Sequence, residues 1–364
     1  MSEALMRRAL ELAALGEGRT RPNPLVGAVV ARGEGIVGQA YHKHPGGPHA
    51  EVLALEEAGE AACGADLYVN LEPCAHYGRT PPCTARIEAA GIRRVFVATV
   101  DPNPLVNGRG IAALQAAGVS VQVGMLAEEA QRLNDIFFHW ITAGTPFVTL
   151  KLAMSMDGKI ATASGASRWI TGSPARHLVQ RMRRRNAAVL IGVNTVLADD
   201  PRLDLREVEG PQPLRVVLDT EARTPVSARL LHLPGQAIVV VGESAPVERV
   251  SALEEAGVQV WRLPSTGGRV ELVALLGELA REGVDSVLLE GGGEVAWSFL
   301  AEELVNKVTL FYGPLILGGR TAVPGVGGEG VDDPSRGFRL CDLSVQRVGE
   351  DIMVTGYMGG ARDE

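Results

Sequence analysis

Four cysteines (Cys63, Cys74, Cys83, Cys341) in 364 residues are too few and too scattered for a disulfide scaffold. No apolar run approaches the roughly 18 residues of a membrane span, so no helical membrane anchor is expected. The opening Met1-Ser2-Glu3-Ala4-Leu5 lacks the basic start and apolar core of a signal peptide, and a cytoplasmic setting is the expectation. Positive charge is not in excess. Lys and Arg number 35 against 43 Asp and Glu, and the net charge of −8 argues against broad binding to nucleic acid or anionic membrane. Lysine is scarce, only four of the 35 basic residues, so a lysine inside a motif stands out. Internal repeats and low-complexity segments are missing, and the glycine-rich turn at 290–294 is not the Rossmann G-x-G-x-x-G. What remains is an ordinary globular composition, 46% hydrophobic and 21% charged, at a length that favours two domains.

Residues 3–16 carry apolar positions at a helical period, and Pro22-Asn23-Pro24 then breaks the chain. Strand patterns at 26–30 and 36–41 suggest a hairpin, followed by a helix over 49–58 and a strand at 67–69. A second helix is expected over 81–90, ending at Gly91, then strands at 95–100 and 119–123 around a further helix. A break at 143–146 restarts the alternation. Strands are expected at 147–152, 188–191, 214–218, 237–241, 258–263 and 284–289, with helical stretches near 174–185, 246–256, 269–281 and 295–300. Two such blocks imply two α/β layered domains, 1–144 and 145–364.

The first block holds one compact set of reactive side chains. His49-Ala50-Glu51 is followed by Pro73-Cys74 and, eight intervening residues later, by Cys83. One imidazole and two thiols close around Zn²⁺ and leave a fourth position for water, the open arrangement of catalytic zinc. Zinc lowers the pKa of bound water to roughly 7, giving hydroxide at neutral pH. Glu51 need not bind metal and is free to move protons to a ring nitrogen and to departing ammonia. An H-x-E motif with P-C and a non-ligand Glu is the pattern of zinc nucleobase deaminases. A closed structural site would need a fourth ligand, for which His44 and His76 are candidates, but such sites usually use short Cys-x₂₋₄-Cys knuckles.

Asn23, His49-Ala50-Glu51 and the run Glu72-Pro73-Cys74-Ala75-His76-Tyr77-Gly78-Arg79-Thr80-Pro81-Pro82-Cys83 resemble the deaminase half of the bifunctional riboflavin-biosynthesis deaminase–reductase. The long spacer between the cysteines separates that family from cytidine and tRNA deaminases, which usually carry Cys-x₂-Cys. The resemblance implies a cytidine-deaminase-like three-layer αβα domain. It also implies hydrolysis of the 2-amino group of 2,5-diamino-6-ribosylamino-4(3H)-pyrimidinone 5′-phosphate. Asn23, His42, His76 and Asn103 would line the pyrimidine pocket, and Arg79 would meet the substrate phosphate. Beside prolines, Asn23 and Asn103 also read as turn formers, and the two histidines as exposed or supporting groups.

In the second block, Lys151 occupies a strand position where a cleft-facing lysine needs an anionic partner; an edge-strand lysine in solvent is the alternative. Glu290-Gly291-Gly292-Gly293-Glu294 is a glycine-rich strand-to-helix turn able to offer backbone N–H groups to phosphate, or simply a tight turn. With Lys151 to Lys159, Ser167 to Gly172 and Ile191 to Leu203, this turn resembles the reductase half of the same family, so the likeness spans the chain. It implies a dihydrofolate-reductase-like α/β fold, NADPH as cofactor and hydride transfer to C1′ of the ribosyl group. Ala153, Trp169, Thr195, Asp199 and the segment Gly292, Gly293, Glu294, Val295, Ala296, Trp297 and Ser298 would contact NADPH, with Thr220 as a weaker candidate. Ser167, Arg183, Leu203, Arg206 and Glu290 would hold the phosphoribosyl-pyrimidine. Arg183 and Arg206 suit a phosphate through bidentate hydrogen bonds, although most of the run Arg181-Met182-Arg183-Arg184-Arg185 must be a solvated face. Lys151 and Asp199 are the candidates for proton movement.

Two other readings compete. A nucleoside or tRNA deaminase with a nucleic-acid-orienting second half is opposed by the negative charge, the cysteine spacing and the lack of a basic-aromatic strip. A zinc-stapled structural protein has no need of Glu51. The expected partner is a small phosphorylated pyrimidine, with no nucleic acid or membrane, and the resemblance suggests a homo-oligomer.

Overall fold

The structure, a computed structural model, describes residues 2–75 and 81–359; His76 and Arg79 lie outside the described residues. The chain divides into two compact units, Met1–Gly144 and Thr145–Glu364.

The first unit contains α1 (Glu3–Ala14), β1 (Gly27–Arg32), β2 (Gly35–Tyr41), α2 (Ala50–Ala58), β3 (Asp66–Leu71), α3 (Cys83–Ala89), β4 (Arg94–Thr99), α4 (Arg109–Ala116), β5 (Ser120–Val123), α5 (Ala127–Leu133) and α6 (Asp135–Ala143). Its sheet runs β2-β1-β3-β4-β5, antiparallel at the β2-β1-β3 end and parallel from β3 to β5. Side chains alternate across the pleat. Ala28, Val30, Leu67, Val69, Val95 and Val97 face α2, α3 and α4, whereas Val29, Ala31, Tyr68 and Phe96 face α1 and α5. The central strands are buried on both faces, which explains their continuous apolar runs. Each Val or Leu so buried stabilises by about 1.5–3 kcal/mol. Helix α3 starts at Cys83 instead of the expected residue 81. Pro82 has extended backbone, and a proline also drives the residue before it out of the helical region.

The second unit contains β6 (Phe147–Ser155), β7 (Lys159–Ala161), α7 (Ser173–Arg185), β8 (Ala188–Gly192), α8 (Val193–Asp199), β9 (Leu214–Leu218), β10 (Ala237–Gly242), α9 (Val247–Glu255), β11 (Gln259–Leu263), β12 (Ser265–Thr266), β13 (Arg269–Val270), α10 (Leu272–Arg281), β14 (Ser286–Leu289), α11 (Gly293–Ala301), β15 (Lys307–Gly313), β16 (Val323–Pro324), β17 (Leu340–Val348) and β18 (Asp351–Met358). A nine-stranded sheet is ordered β11-β10-β9-β8-β14-β6-β15-β18-β17, parallel from β11 to β15 and closed by the antiparallel β18 and β17. Helices α10 and α11 cover one face, and α7, α8 and α9 the other. The stretch expected as a helix from 269 begins at Leu272, because Arg269 and Val270 pair with Thr266 and Ser265 in a hairpin. Lys151 is not on an edge. Strand β6 lies between β14 and β15 in mid-sheet.

Candidate active sites

In the first unit, His49 is the residue before α2, Cys83 opens α3 and Cys74 follows β3. Their ligand atoms lie within 4.8 Å of one another. His49 Nδ1 stands 3.1 Å from Cys83 Sγ and 3.6 Å from Cys74 Sγ. The Cys83 backbone N–H donates to Cys74 Sγ at 3.4 Å, and the Thr84 N–H to the Cys74 carbonyl at 3.2 Å. A hydrogen bond couples the two thiols. The hydrogen bond from Cys83 draws the Cys74 thiol down to about 4, and the same bond together with burial pushes Cys83 up. A divalent cation in place of that hydrogen bond makes both sulfurs thiolates. His44 does not complete a closed set: it is exposed, and its Nδ1 faces the Pro45 carbonyl at 3.2 Å.

Glu51 lies one residue into α2, outside the ligand group, and is 3% exposed. Its Oε2 is buried with no hydrogen-bond partner among the described residues, and burial pushes its carboxyl above the usual carboxylate range. A soft N,S,S donor set beside an orphaned acid fits zinc with an open position.

Asn23 and His42 meet beside this group. His42 is 3% exposed; its Nδ1 donates to the Pro48 carbonyl at 3.1 Å, so Nε2 accepts from Asn23 Nδ2 at 3.1 Å. Burial holds this imidazole below its ordinary pKa, in keeping with the neutral tautomer. The turn is fixed from behind at Leu25, whose carbonyl accepts from Asn70 Nδ2 and Asn134 Nδ2, each at 2.9 Å. Asn103 is partly a turn former, since its Oδ1 accepts from the Leu105 N–H at 3.0 Å.

Glu72, which the sequence reading leaves without a role, holds the Asn103 loop against the Cys74 loop. Its Oε2 accepts from the N–H groups of Asp101 (3.2 Å) and Gly108 (2.9 Å), and its Oε1 from those of Gly110 (2.8 Å) and Ile111 (3.2 Å). Gly110 is required by the same contact: a Cβ there would lie 1.9 Å from the Pro73 carbonyl oxygen.

In the second unit the parallel register that pairs Leu150 with Leu289 brings Lys151 beside Glu290. Lys151 Nζ is 3.9 Å from Glu290 Oε2. Arg183 donates to Glu290 from Nε at 2.6 Å and from Nη2 at 3.0 Å, and from Nη1 to the Asp204 carbonyl at 3.3 Å. Burial favours a protonated Glu290, but Arg183 and Lys151 outweigh it and hold the carboxyl below its ordinary pKa. Burial lowers the Lys151 ammonium, with Glu290 opposing. Asp204, buried and unforeseen, gathers Arg202 at 2.7 Å and Arg206 at 3.8 Å. The alternation Arg202-Leu203-Asp204-Leu205-Arg206 carries that signal. Leu203 itself turns its side chain into the core, with a left-handed φ of 59°, so only its main chain is available to a substrate.

Beside this network runs a cleft of about 870 Å³ whose wall includes Thr195, Asp199, Thr220, Gly292, Gly293, Glu294, Val295, Trp297 and Ser298. Ser167, expected on the substrate, lines it too and donates to Asp199 Oδ1 at 3.0 Å. Three expected cofactor contacts lie off its wall. Ala296 is buried in the core because its phase on α11 points it at the sheet. Ala153 packs with Ala175, Val179 and Phe311. Trp169 is 69% exposed, with the Arg176 guanidinium 4.3 Å from its ring centre.

Comparison with known proteins agrees with both halves. Residues 1–99 match the cytidine and deoxycytidylate deaminase zinc-binding region, and residues 146–354 match the RibD C-terminal domain. The riboflavin biosynthesis proteins RibD of Actinobacillus pleuropneumoniae and Aquifex aeolicus are each 43% identical over 350 residues. These alignments cover 96% of this chain and 93% and 96% of those proteins. Among solved structures, Acinetobacter baumannii RibD superposes with a TM-score of 0.84 at 38% identity, covering 98% of both chains. A diaminohydroxyphosphoribosylaminopyrimidine deaminase/5-amino-6-(5-phosphoribosylamino)uracil reductase from Thermotoga maritima also gives 0.84, at 36% identity and 98% coverage of both. The chain therefore belongs to the RibD family of riboflavin-biosynthesis enzymes, with a zinc-binding deaminase unit followed by a reductase unit.

Proposed function

We propose that the first unit hydrolyses the 2-amino group of 2,5-diamino-6-ribosylamino-4(3H)-pyrimidinone 5′-phosphate. The second unit then reduces the ribosyl group with NADPH, giving 5-amino-6-(5-phosphoribitylamino)uracil. The observation that carries the first step is Glu51, a buried carboxyl with an unpartnered oxygen beside three converging metal donors. Zinc held by His49, Cys74 and Cys83 supplies a Lewis acid that acidifies water to a pKa of roughly 7. Glu51 takes up one proton of the attacking water at Oε2 and passes it to the ring nitrogen, then carries the added hydroxyl's remaining proton to the amine, which leaves as ammonia as the carbonyl forms. Its raised pKa lets it hold that proton closer to neutrality. Asn23 spends its amide N–H on His42, which leaves its carbonyl oxygen to receive an amino group of the pyrimidine. His76 and Arg79 keep their substrate roles by resemblance alone, and Asn103 joins them at the pocket.

In the second unit NADPH supplies the hydride. Opening the sugar requires a proton at the ring oxygen, and Lys151 Nζ, buried beside Glu290, is the donor we assign. Asp199 orients Ser167 at the cleft wall. Arg183 positions Glu290 instead of meeting phosphate, and Arg206, half exposed beside Asp204, takes the phosphate. No described helix is long and apolar enough to cross a membrane. A cytoplasmic homo-oligomer acting on a small phosphorylated pyrimidine, not on nucleic acid, completes the proposal. Lys151→Ala tests the second step: NADPH oxidation should stop while ammonia release continues, and loss of both activities would contradict the assignment.

A further inference from the structure

The cofactor cleft lies along the carboxyl ends of the parallel strands, where open α/β sheets bind ligands. At one end the glycine-rich turn Gly292-Gly293 opens α11 two residues after Glu290, which suits the nicotinamide and the paired phosphates next to it. Strand β9 is two places from β14 and three from β6 in the sheet. At about 4.8 Å per strand, the turn after β9 stands on the order of 10 Å from the Glu290 strand, the reach of an extended dinucleotide's adenosine half.

Among the described residues of the cleft wall the only cations are Arg223 and Arg269. Arg223 follows β9 with Thr220, and Arg269 belongs to the β12–β13 hairpin. The two segments abut over the end of β10: a Cβ on Gly242 would lie 3.0 Å from both Thr220 Cγ2 and Ser265 Oγ. Neither guanidinium is locked in place. Arg223 donates to Asn194 Oδ1 at 3.1 Å and stands 3.8 Å from Glu221. Arg269 donates to Ser298 Oγ at 3.3 Å and stands 3.6 Å from Glu294. Long, half-exposed pairs of this kind contribute little and exchange readily for a phosphate, which an arginine fork grips in two places.

We infer that Arg223 and Arg269 together read the 2′-phosphate on the adenosine ribose and so set the preference for NADPH over NADH. The inference rests on the dinucleotide-reductase reading of this unit. The substrate's own phosphate belongs at the other end, with Arg206, and the paired phosphates with the α11 turn, so a third phosphate is what the two arginines add.

The test is fluorescence titration of the full chain with NADPH and with NADH, for the native protein, Arg223→Ala/Arg269→Ala and Arg223→Lys/Arg269→Lys. The alanine pair should weaken NADPH about tenfold or more while NADH changes less than about threefold, and the lysine pair should recover part of the loss. Adenosine 2′,5′-bisphosphate should compete better than 5′-AMP for the native protein and lose that advantage in the alanine pair. An alanine pair that keeps the native NADPH-to-NADH ratio overturns the inference. A native protein that binds neither dinucleotide overturns the reductase reading beneath it.

Discussion

Arg183 grips Glu290 through two hydrogen bonds of 2.6 and 3.0 Å, with the guanidinium 11% and the carboxylate 8% exposed. Lys151 shares the same carboxylate, so Glu290 offsets two buried cations at once. Removing its charge leaves both uncompensated.

Glu290→Gln should therefore destabilise the reductase unit by about 3–5 kcal/mol, read as the fall in its thermal transition. The folded pKa of Glu290 lies below its ordinary value, so its contribution is complete above the ordinary carboxylate range. It is lost as pH falls through the depressed folded value. The difference between native and variant should thus be constant near neutrality and shrink in acid. A difference that grows on acidification would contradict the ion-pair account.

Gly110→Ala probes the clamp between Pro73 and the Asn103 loop. The added methyl meets the Pro73 carbonyl oxygen at 1.9 Å, where neither backbone can yield without moving Cys74 or Glu72. A loss of about 1–3 kcal/mol in the first unit, with weaker zinc retention, is expected. Native zinc content and native melting in this variant would show that the loop packing is unimportant.

Cys83→Ala should lose zinc and ammonia release together, while reduction of supplied deaminated substrate by NADPH proceeds. A chelator acting on the native chain should do the same, reversibly on adding zinc. Metal analysis and the two separate assays decide it: ammonia release surviving metal loss would remove zinc from the reaction.

Much of this was legible in the sequence because it is local. His49-Ala50-Glu51 places ligand and acid at one helix start, and strands buried on both faces announce themselves as continuous apolar runs. Residues whose role depends on long-range register were not legible. Arg183 sits in a run of arginines of which only Arg181 is exposed, and nothing local marks it as the one that reaches Glu290, just past the end of β14. Ala296 and Leu203 lie in segments expected to contact cofactor and substrate, but helix phase and a left-handed backbone turn their side chains to the core. Arg223 and Arg269 are 46 residues apart and share one cleft only because β10 and the hairpin bring them there. Glu72 stood in the motif run, yet its four backbone donors come from a loop and helix some 30 to 40 residues onward.

Glu51→Gln isolates the proton carrier from the metal. The amide keeps the shape and leaves His49, Cys74 and Cys83 in place, so zinc content should be native. Ammonia release should fall about 10²–10⁴-fold. Retained deamination would remove Glu51 from the chemistry.

The central claim is that one chain performs two separable reactions in order. Incubation of the native protein with the diaminopyrimidinone phosphate, with and without NADPH, tests it most directly when ammonia and NADPH are followed separately. Ammonia should appear without NADPH, and one NADPH should be oxidised per ammonia when both are present. Ammonia release that requires NADPH, or NADPH that stays unoxidised while ammonia accumulates, would contradict the account.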